Sequence, residues 1–148
     1  MAERTLLVAT DGSPAATAAA NTALELAVAM QARVRFVHAS SPAAEELFDR
    51  YPKTGPTQDQ IIARDPVLAD AAERAADNGI ESEVELISAG SDADLAAAIA
   101  GIASGIEATM IVTGSRGRGT VAGAVLGSVS HHLISEAAVP VLIVHAAH

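Results

Sequence analysis

Residues 109–130 have the sequence TMIVTGSRGRGTVAGAVLGSVS, in which a short apolar run leads into a glycine-rich segment. The apolar run is rich in Val and Ile and has the length of a β-strand. Glycines interrupt regular structure, and the serines near residue 130 are typical of the start of a helix. This stretch therefore predicts a strand, then a turn with bare backbone, then a helix.

The same alternation recurs along the whole chain. Short apolar runs predict five strands, at residues 5–9, 33–39, 83–88, 109–113 and 140–145. The Ala- and Leu-rich segments between them predict helices, because they carry N-terminal signals at Ser13–Pro14, Asp65–Pro66 and Ser91 with Asp94, and C-terminal signals at Gly79 and Gly105.

The alternation β-α-β-α-β-α-β-α-β is typical of an α/β fold. We predict one domain over residues 1–148, with an open five-stranded parallel sheet of order 3-2-1-4-5 and helices on both faces. Residues 40–60 contain three prolines and two of the three aromatic residues. We predict a variable loop there, with room for one short helix.

Composition excludes several classes of function. The formal net charge is -9, which disfavours nucleic acid or an anionic membrane as the main partner. Cysteine is absent, so disulfides, thiolate catalysis and Cys-ligated zinc are excluded. The first residues lack the apolar stretch of a signal peptide, and no apolar run is long enough to span a membrane, so we expect a cytoplasmic protein.

Three segments should converge at the carboxyl ends of the strands, where such sheets bind ligands. They are residues 9–13, 38–40 and 114–130. The glycines expose amide donors, the helix start adds partial positive charge, and Arg116 and Arg118 add two cations, so we predict an anion site. The alternative is purely structural, since glycines also make turns, serines cap helices and arginines lie on surfaces.

Two common phosphate motifs do not fit this glycine-rich segment. A P-loop needs lysine where Thr120 stands, and that lysine reaches the terminal phosphates. Gly117, Gly119 and Ala122 match G-x-G-x-x-A but follow the fourth strand, and no acid ends a following strand to hold a ribose, so a Rossmann dinucleotide site is disfavoured.

The spacing does match another signature. Gly114, two residues, Gly117, nine residues, then Gly127 and Ser128 resembles the G-2x-G-9x-G-S/T motif of the ATP-binding branch of the universal stress protein family. The resemblance extends over nearly the whole chain, through LLVATDGS, FVHAS, IVTGSRGRG and SVSHHLISEAAVPVLIVH. The family often has an acid where this chain has Thr109, so a contact made by that acid is lost or replaced.

This resemblance implies that ATP lies across the strand ends, assisted by Mg²⁺. Ala9, Thr10 and Asp11 would face the nucleoside, the main chain of Ala39 the adenine edge, and Gly114 the ribose. The phosphates would be held by Gly117, Gly127, Ser128, the Val129 amide and Ser130. The resemblance also implies a homodimer through the last strand, residues 141–145, and leaves room for a further protein partner.

The expected function is therefore a nucleotide-dependent regulatory protein of the stress response, and the alternative is a slow ATP hydrolase of the same fold. We predict no catalytic residue and no metal ligand from the protein. A phosphate-accepting receiver domain is disfavoured because the third strand ends without an aspartate, and a flavin carrier because aromatic residues are scarce.

Several polar residues have a structural role as the alternative to a role in ligand binding. Asp11 contacts the ligand or else forms an Asx turn before the helix that Ser13 caps. His131 and His132 are adjacent on a helix, so they cannot both face the site, and we interpret both as solvated or packed rather than as ligands. We interpret His38 as structural because it lies at the end of a buried strand.

Overall fold

The computed structural model describes residues 3–39, 41–116 and 126–146. Strands and helices alternate as the sequence predicts, and the sheet is parallel with the order β3-β2-β1-β4-β5. The elements in chain order are β1 Thr5–Ala9, α1 Pro14–Met30, β2 Arg33–Ala39, α2 Pro42–Arg50, α3 Gln58–Arg64, α4 Pro66–Asp77, β3 Ser82–Ile87, α5 Asp92–Gly105, β4 Met110–Gly114, α6 Ser128–Glu136 and β5 Val141–Val144.

The predicted strands and helix signals agree closely with these bounds. β1 and β2 match the prediction, and each of the other three strands both begins and ends one residue away from it. Ser13, Asp65 and Ser91 each accept a hydrogen bond from the first turn of a helix. Gly79 follows α4 with a φ of 68°, and α5 ends at Gly105 as predicted, although the left-handed residue after α5 is Glu107.

The chain between β2 and β3 contains three helices, whereas we predicted a crossover helix and a loop at 40–60 with room for one short helix. The short helix is α2, in which Pro42 lies in the first turn, where proline favours a helix. The additional helix is α3, which begins near the end of the predicted loop. Thr57 and Gln60 form a reciprocal capping box that begins α3. An ion pair between Glu46 and Arg64 joins α2 to α3, and the Arg64 guanidinium lowers the pKa of the Glu46 carboxyl.

Two apolar clusters cover the two faces of the sheet. On one face, α1 packs through alanines, which bring the helix close to the buried side chains of Leu6, Val8 and Phe36. The helices α2, α3 and α4 extend the same cluster through Leu47, Ile61 and Leu68 respectively. On the other face, α5 and α6 cover a second cluster around Leu7, Val37 and Ile111.

The two edges of the sheet differ in how their backbone is covered. Val84 directs its N–H and C=O away from β2, and the side-chain amide of Gln58 binds both, with Nε2 donating at 2.8 Å and Oε1 accepting at 2.7 Å. The edge of β3 is therefore occupied from within the chain. At the other edge, the Pro140 carbonyl accepts a hydrogen bond from Ile111 of β4, and the Val144 carbonyl accepts one from Ser115, which directly follows β4. The alternate residues Val141 and Ile143 therefore direct their backbone groups outward.

Within the described ranges, no helix combines the length and apolar character needed to cross a bilayer.

Candidate functional site

A cavity of about 370 Å³ opens at the carboxyl ends of the strands. It lies at the point where the chain changes direction across the sheet. From β1 the chain first adds β2 and β3 on one side, and then adds β4 and β5 on the other side. Every site residue predicted within the described part of the chain lines it: Ala9, Thr10, Asp11, Ala39, Gly114, Arg116, Gly127, Ser128, Val129 and Ser130. Gly117 and Arg118, also predicted, lie outside the described residues.

The turn after β1 is held by its own side chains. Asp11 Oδ1 accepts a hydrogen bond from the Ser13 amide at 2.9 Å, which is the Asx turn considered as the structural alternative. Gly12 adopts a φ of 78°, and its amide donates to Thr10 Oγ1. Asp11 therefore has a structural role at the cavity wall, while its contact with a ligand stays a prediction.

The N-terminus of α6 differs from the other helix starts that the structure describes. Ser13, Ser41, Thr57, Asp65 and Ser91 cap α1 to α5 with side-chain oxygens. Gly127 caps α6 without any side-chain hydrogen bond, and the first turn of α6 contains no acid. The first amides of α6 have no intrahelical acceptor, so they present hydrogen-bond donors and the positive end of the helix dipole to the cavity.

Ser130 connects this helix to the end of β4. Its hydroxyl is buried and donates to the Gly114 carbonyl oxygen at 2.6 Å. The hydroxyl proton is therefore used within the protein, and any donation from Ser130 to a ligand falls to its backbone amide.

Gly114 is required by packing as well as by the cavity. A Cβ at this position would lie 2.7 Å from the Ala15 carbonyl carbon and 2.8 Å from the Ala16 nitrogen. These are backbone atoms of the first turn of α1, so a larger residue cannot be accommodated by rotating a side chain. The sequence analysis placed the ribose of a ligand beside Gly114, and the structure shows that α1 also approaches this glycine closely.

Sequence reasoning missed the wall of the cavity that follows β3. Ala89, Gly90, Ser91 and Asp92 line it, together with Leu95 and Ile99 of α5. A signal was available, because the end of β3 lies at the same edge of the sheet as the other strand ends, but the SAGSD turn resembles no phosphate motif.

His38 also lines the cavity and has a structural partner. Its Nδ1 lies 2.9 Å from Oδ2 of Asp65, whose side chain is 1% exposed. Asp65 also accepts from the Ser41 hydroxyl and caps α4, so this carboxylate joins the end of β2 to the starts of two helices. The structural interpretation of His38 is therefore supported, and neither His131 nor His132 is among the lining residues.

The charges of the cavity are mixed. Among the described lining residues, Asp11 and Asp92 are acidic and Arg116, which is exposed, is basic. No cluster of three His, Asp or Glu side chains that could hold a metal ion occurs in the described part of the chain.

A model of the universal stress protein family matches residues 3–145. The chain belongs to the universal stress protein family. A universal stress protein of Thermus aquaticus is 36% identical to it over 143 residues, covering 95% of this chain and 98% of the relative. One of Mycobacterium tuberculosis is 34% identical, covering 97% of each chain.

Solved structures agree with this assignment. A universal stress protein solved in complex with cAMP is 27% identical, with a TM-score of 0.68 over 99% of this chain and 100% of that one. The fold of this universal stress protein is thus the predicted one, an open parallel sheet with the strand order 3-2-1-4-5.

Replacing Gly114 tests the packing requirement of this universal stress protein. We expect Gly114→Ala to lower the free energy of unfolding by about 1–3 kcal/mol, because the new methyl group overlaps the backbone of α1. Gly101→Ala is the control, because nothing lies within 4 Å of its Cβ position and alanine in a helix should add about 0.5–1 kcal/mol. Denaturant titration measures both, and equal effects of the two changes would contradict the assignment.

Proposed function

We propose that this universal stress protein binds ATP across its strand ends and acts as a nucleotide-dependent regulator in the cytoplasm. The observation that carries the proposal is the start of α6, which has no side-chain cap and whose first residues, Ser128, Val129 and Ser130, line the cavity. Phosphates bind well at such helix ends, because the amide donors and the helix dipole act together. The cavity volume lies within the usual range for small-molecule sites.

The positions of the lining residues suggest how the nucleotide lies. The phosphates would contact the amides of Ser128, Val129 and Ser130, with Arg116 beside them. The nucleoside would lie over the turn after β1, and the adenine edge would meet the main chain of Ala39 at the end of β2. Arg116 adds positive charge near the triphosphate in a protein whose net charge would otherwise repel it.

The relative solved with cAMP supports an adenine nucleotide as the ligand class. Magnesium fits this site as a companion of the phosphates, because Mg²⁺ keeps several waters and takes only one or two carboxylates from the protein. When bound, the ion would neutralise part of the triphosphate charge.

A regulatory role requires that ATP bind two conformations of the protein with different affinity. Hydrolysis would need an oriented water and a group to position it. Asp11 Oδ1 already accepts the Ser13 amide, which disfavours Asp11 for that task. We therefore propose binding rather than rapid turnover, with slow ATP hydrolysis as the alternative.

Nucleotide content after gentle purification tests the function directly. We expect an adenine nucleotide to be released on denaturation, and added ATP to persist for hours with the protein in excess. Chromatography of the released material and of the ADP formed measures both. Rapid ADP formation would favour the hydrolase, whereas no ATP binding at millimolar concentration would contradict the proposal.

Placing a negative charge at the start of α6 separates ligand binding from stability. Ser128 is exposed and is the first residue of the helix. Ser128→Asp should weaken ATP binding at least about tenfold, since the carboxylate would compete with the phosphates for the same amides. It should also raise the stability of the free protein by about 0.3–1 kcal/mol, because an acid suits the helix dipole.

Ser128→Asn is the matched control, since it has nearly the same shape without the charge. Calorimetry gives the affinities and thermal melting gives the stabilities. An unchanged affinity in Ser128→Asp would place the phosphates elsewhere.

The proposal includes a homodimer formed through β5. The outer edge of β3 is occupied by Gln58, whereas Val141 and Ile143 direct backbone groups away from β4. The four residues of β5 are all partly exposed although all are apolar. Pairing of two copies along this edge would satisfy the backbone groups and cover the apolar side chains.

Removing the backbone N–H of Ile143, which faces away from β4, tests this interface. Ile143→Pro deletes an N–H that faces away from β4, so the ladder between β4 and β5 should remain while pairing between copies is lost. Ile143→Val is the control because it keeps the N–H. Sedimentation should give a dimer for the control and a monomer with native circular dichroism for Ile143→Pro; a dimeric proline variant would exclude this edge.

A further inference from the structure

The side chain of Gln58 takes the place of a neighbouring strand at the outer edge of β3. A side-chain amide carries a donor and an acceptor, as a peptide group does. Gln58 Nε2 donates to the Val84 carbonyl oxygen at 2.8 Å, and Gln58 Oε1 accepts from the Val84 amide at 2.7 Å. Both outward backbone groups of Val84 are therefore bound, as they would be in the middle of a sheet.

The start of α3 holds this side chain against the strand. Gln58 is the first residue of α3, and the reciprocal contacts between Thr57 and Gln60 fix the backbone on either side of it. Ile61 of the same helix is buried in the apolar cluster. The helix is thus anchored by capping and packing, whereas the two hydrogen bonds to Val84 come from one exposed side chain.

A second copy of β3 would supply the same two hydrogen bonds. The Val34 amide of β2 donates to the Glu81 carbonyl, so the alternate residues Ser82, Val84 and Leu86 share the outward direction. In two antiparallel β3 strands related by a twofold axis at Val84, each Val84 would donate to the other and accept from it. Ser82 of each copy would then pair with Leu86 of the other. The edge is therefore complementary to itself.

The charges of β3 oppose such pairing without preventing it. In the twofold arrangement, Glu83 would lie opposite Glu85 of the other copy, and like charges in that position destabilise a sheet. Arg35 of β2 binds both carboxylates, at 2.6 Å and 3.2 Å, and so neutralises part of this charge. Since salt screens the repulsion that remains, pairing through β3 should be stronger at higher salt.

We propose that the outer edge of β3 is a second pairing surface for another copy of this chain, and that Gln58 keeps this surface closed. The occupant is a second copy because the twofold arrangement places one donor and one acceptor where Gln58 Nε2 and Oε1 now bind Val84. The surface is distinct from β5, which lies at the opposite edge of the sheet. Gln58 therefore restricts pairing between copies to the edge at β5.

Removing the amide of Gln58 tests this inference. In Gln58→Ala both edges of each chain can pair, so dimers formed through β5 should join into open chains larger than a dimer. Adding Ile143→Pro leaves only β3 for pairing, so the double variant should stop at a dimer. Sedimentation over a range of protein and salt concentrations measures both, and circular dichroism verifies the fold. If the double variant stayed monomeric at every concentration, the pairing surface would be excluded.

Gln60→Ala is the matched control. The Gln60 amide belongs to the same turn of α3 but binds the Thr57 N–H instead of β3. The control should keep the wild-type oligomeric state. Hydrogen exchange at the Val84 amide should be about fivefold faster in the dilute Gln58→Ala variant, as expected for the loss of one hydrogen bond, and unchanged in the control. Equal association of the two variants would overturn the role of Gln58.

The two pairing surfaces can fail separately. If Ile143→Pro alone remained dimeric, the dimer proposed through β5 would be wrong. This inference would still require that adding Gln58→Ala to that variant increase the size of the assembly, and an unchanged size would contradict it.

Discussion

Gly114 at the end of β4 contacts both α1 and α6, and the cavity depends on these contacts. The first turn of α1 approaches so closely that a Cβ would lie within 3 Å of its backbone. On the other face, the Ser130 hydroxyl donates to the Gly114 carbonyl and sets the start of α6. The end of β4 is therefore fixed against one helix from each layer, and their N-termini are held at the mouth of the sheet.

The distribution of helix caps determines which charge of ligand the cavity favours. The protein carries a formal net charge of -9, so its overall field disfavours polyanions. Local donors matter more at short range, because distant surface charges are screened beyond about 8 Å at physiological ionic strength. Among the described helix starts, α1 to α5 each have one first-turn amide bound by a cap side chain, whereas α6 has none and its first residues line the cavity.

Where sequence reasoning succeeded, the signal was local. Apolar runs and caps such as Ser13 and Asp65 depend on neighbours within a few residues, so β1, β2, α1 and α4 could be placed directly. The segment at 40–60 contains α2, a short helix for which the prediction left room, and Pro42 lies in its first turn. The contact of Gln58 with the edge of β3 and the position of Asp92 at the cavity depend on residues far away in the chain, and no local pattern indicates them.

By itself, the sequence determined the alternation of strands and helices, the glycine spacing of the universal stress protein family and the candidate residues that follow β1, β2 and β4. These follow from periodicity and spacing, which are properties of contiguous residues. Only the tertiary structure decided that the turn after β3 lines the cavity, that Ser130 uses its proton on Gly114, and that Gln58 occupies the edge of β3 while Val141 and Ile143 direct backbone groups away from β4. Each of these depends on distances between residues remote in sequence, which packing of the helices onto the sheet alone establishes.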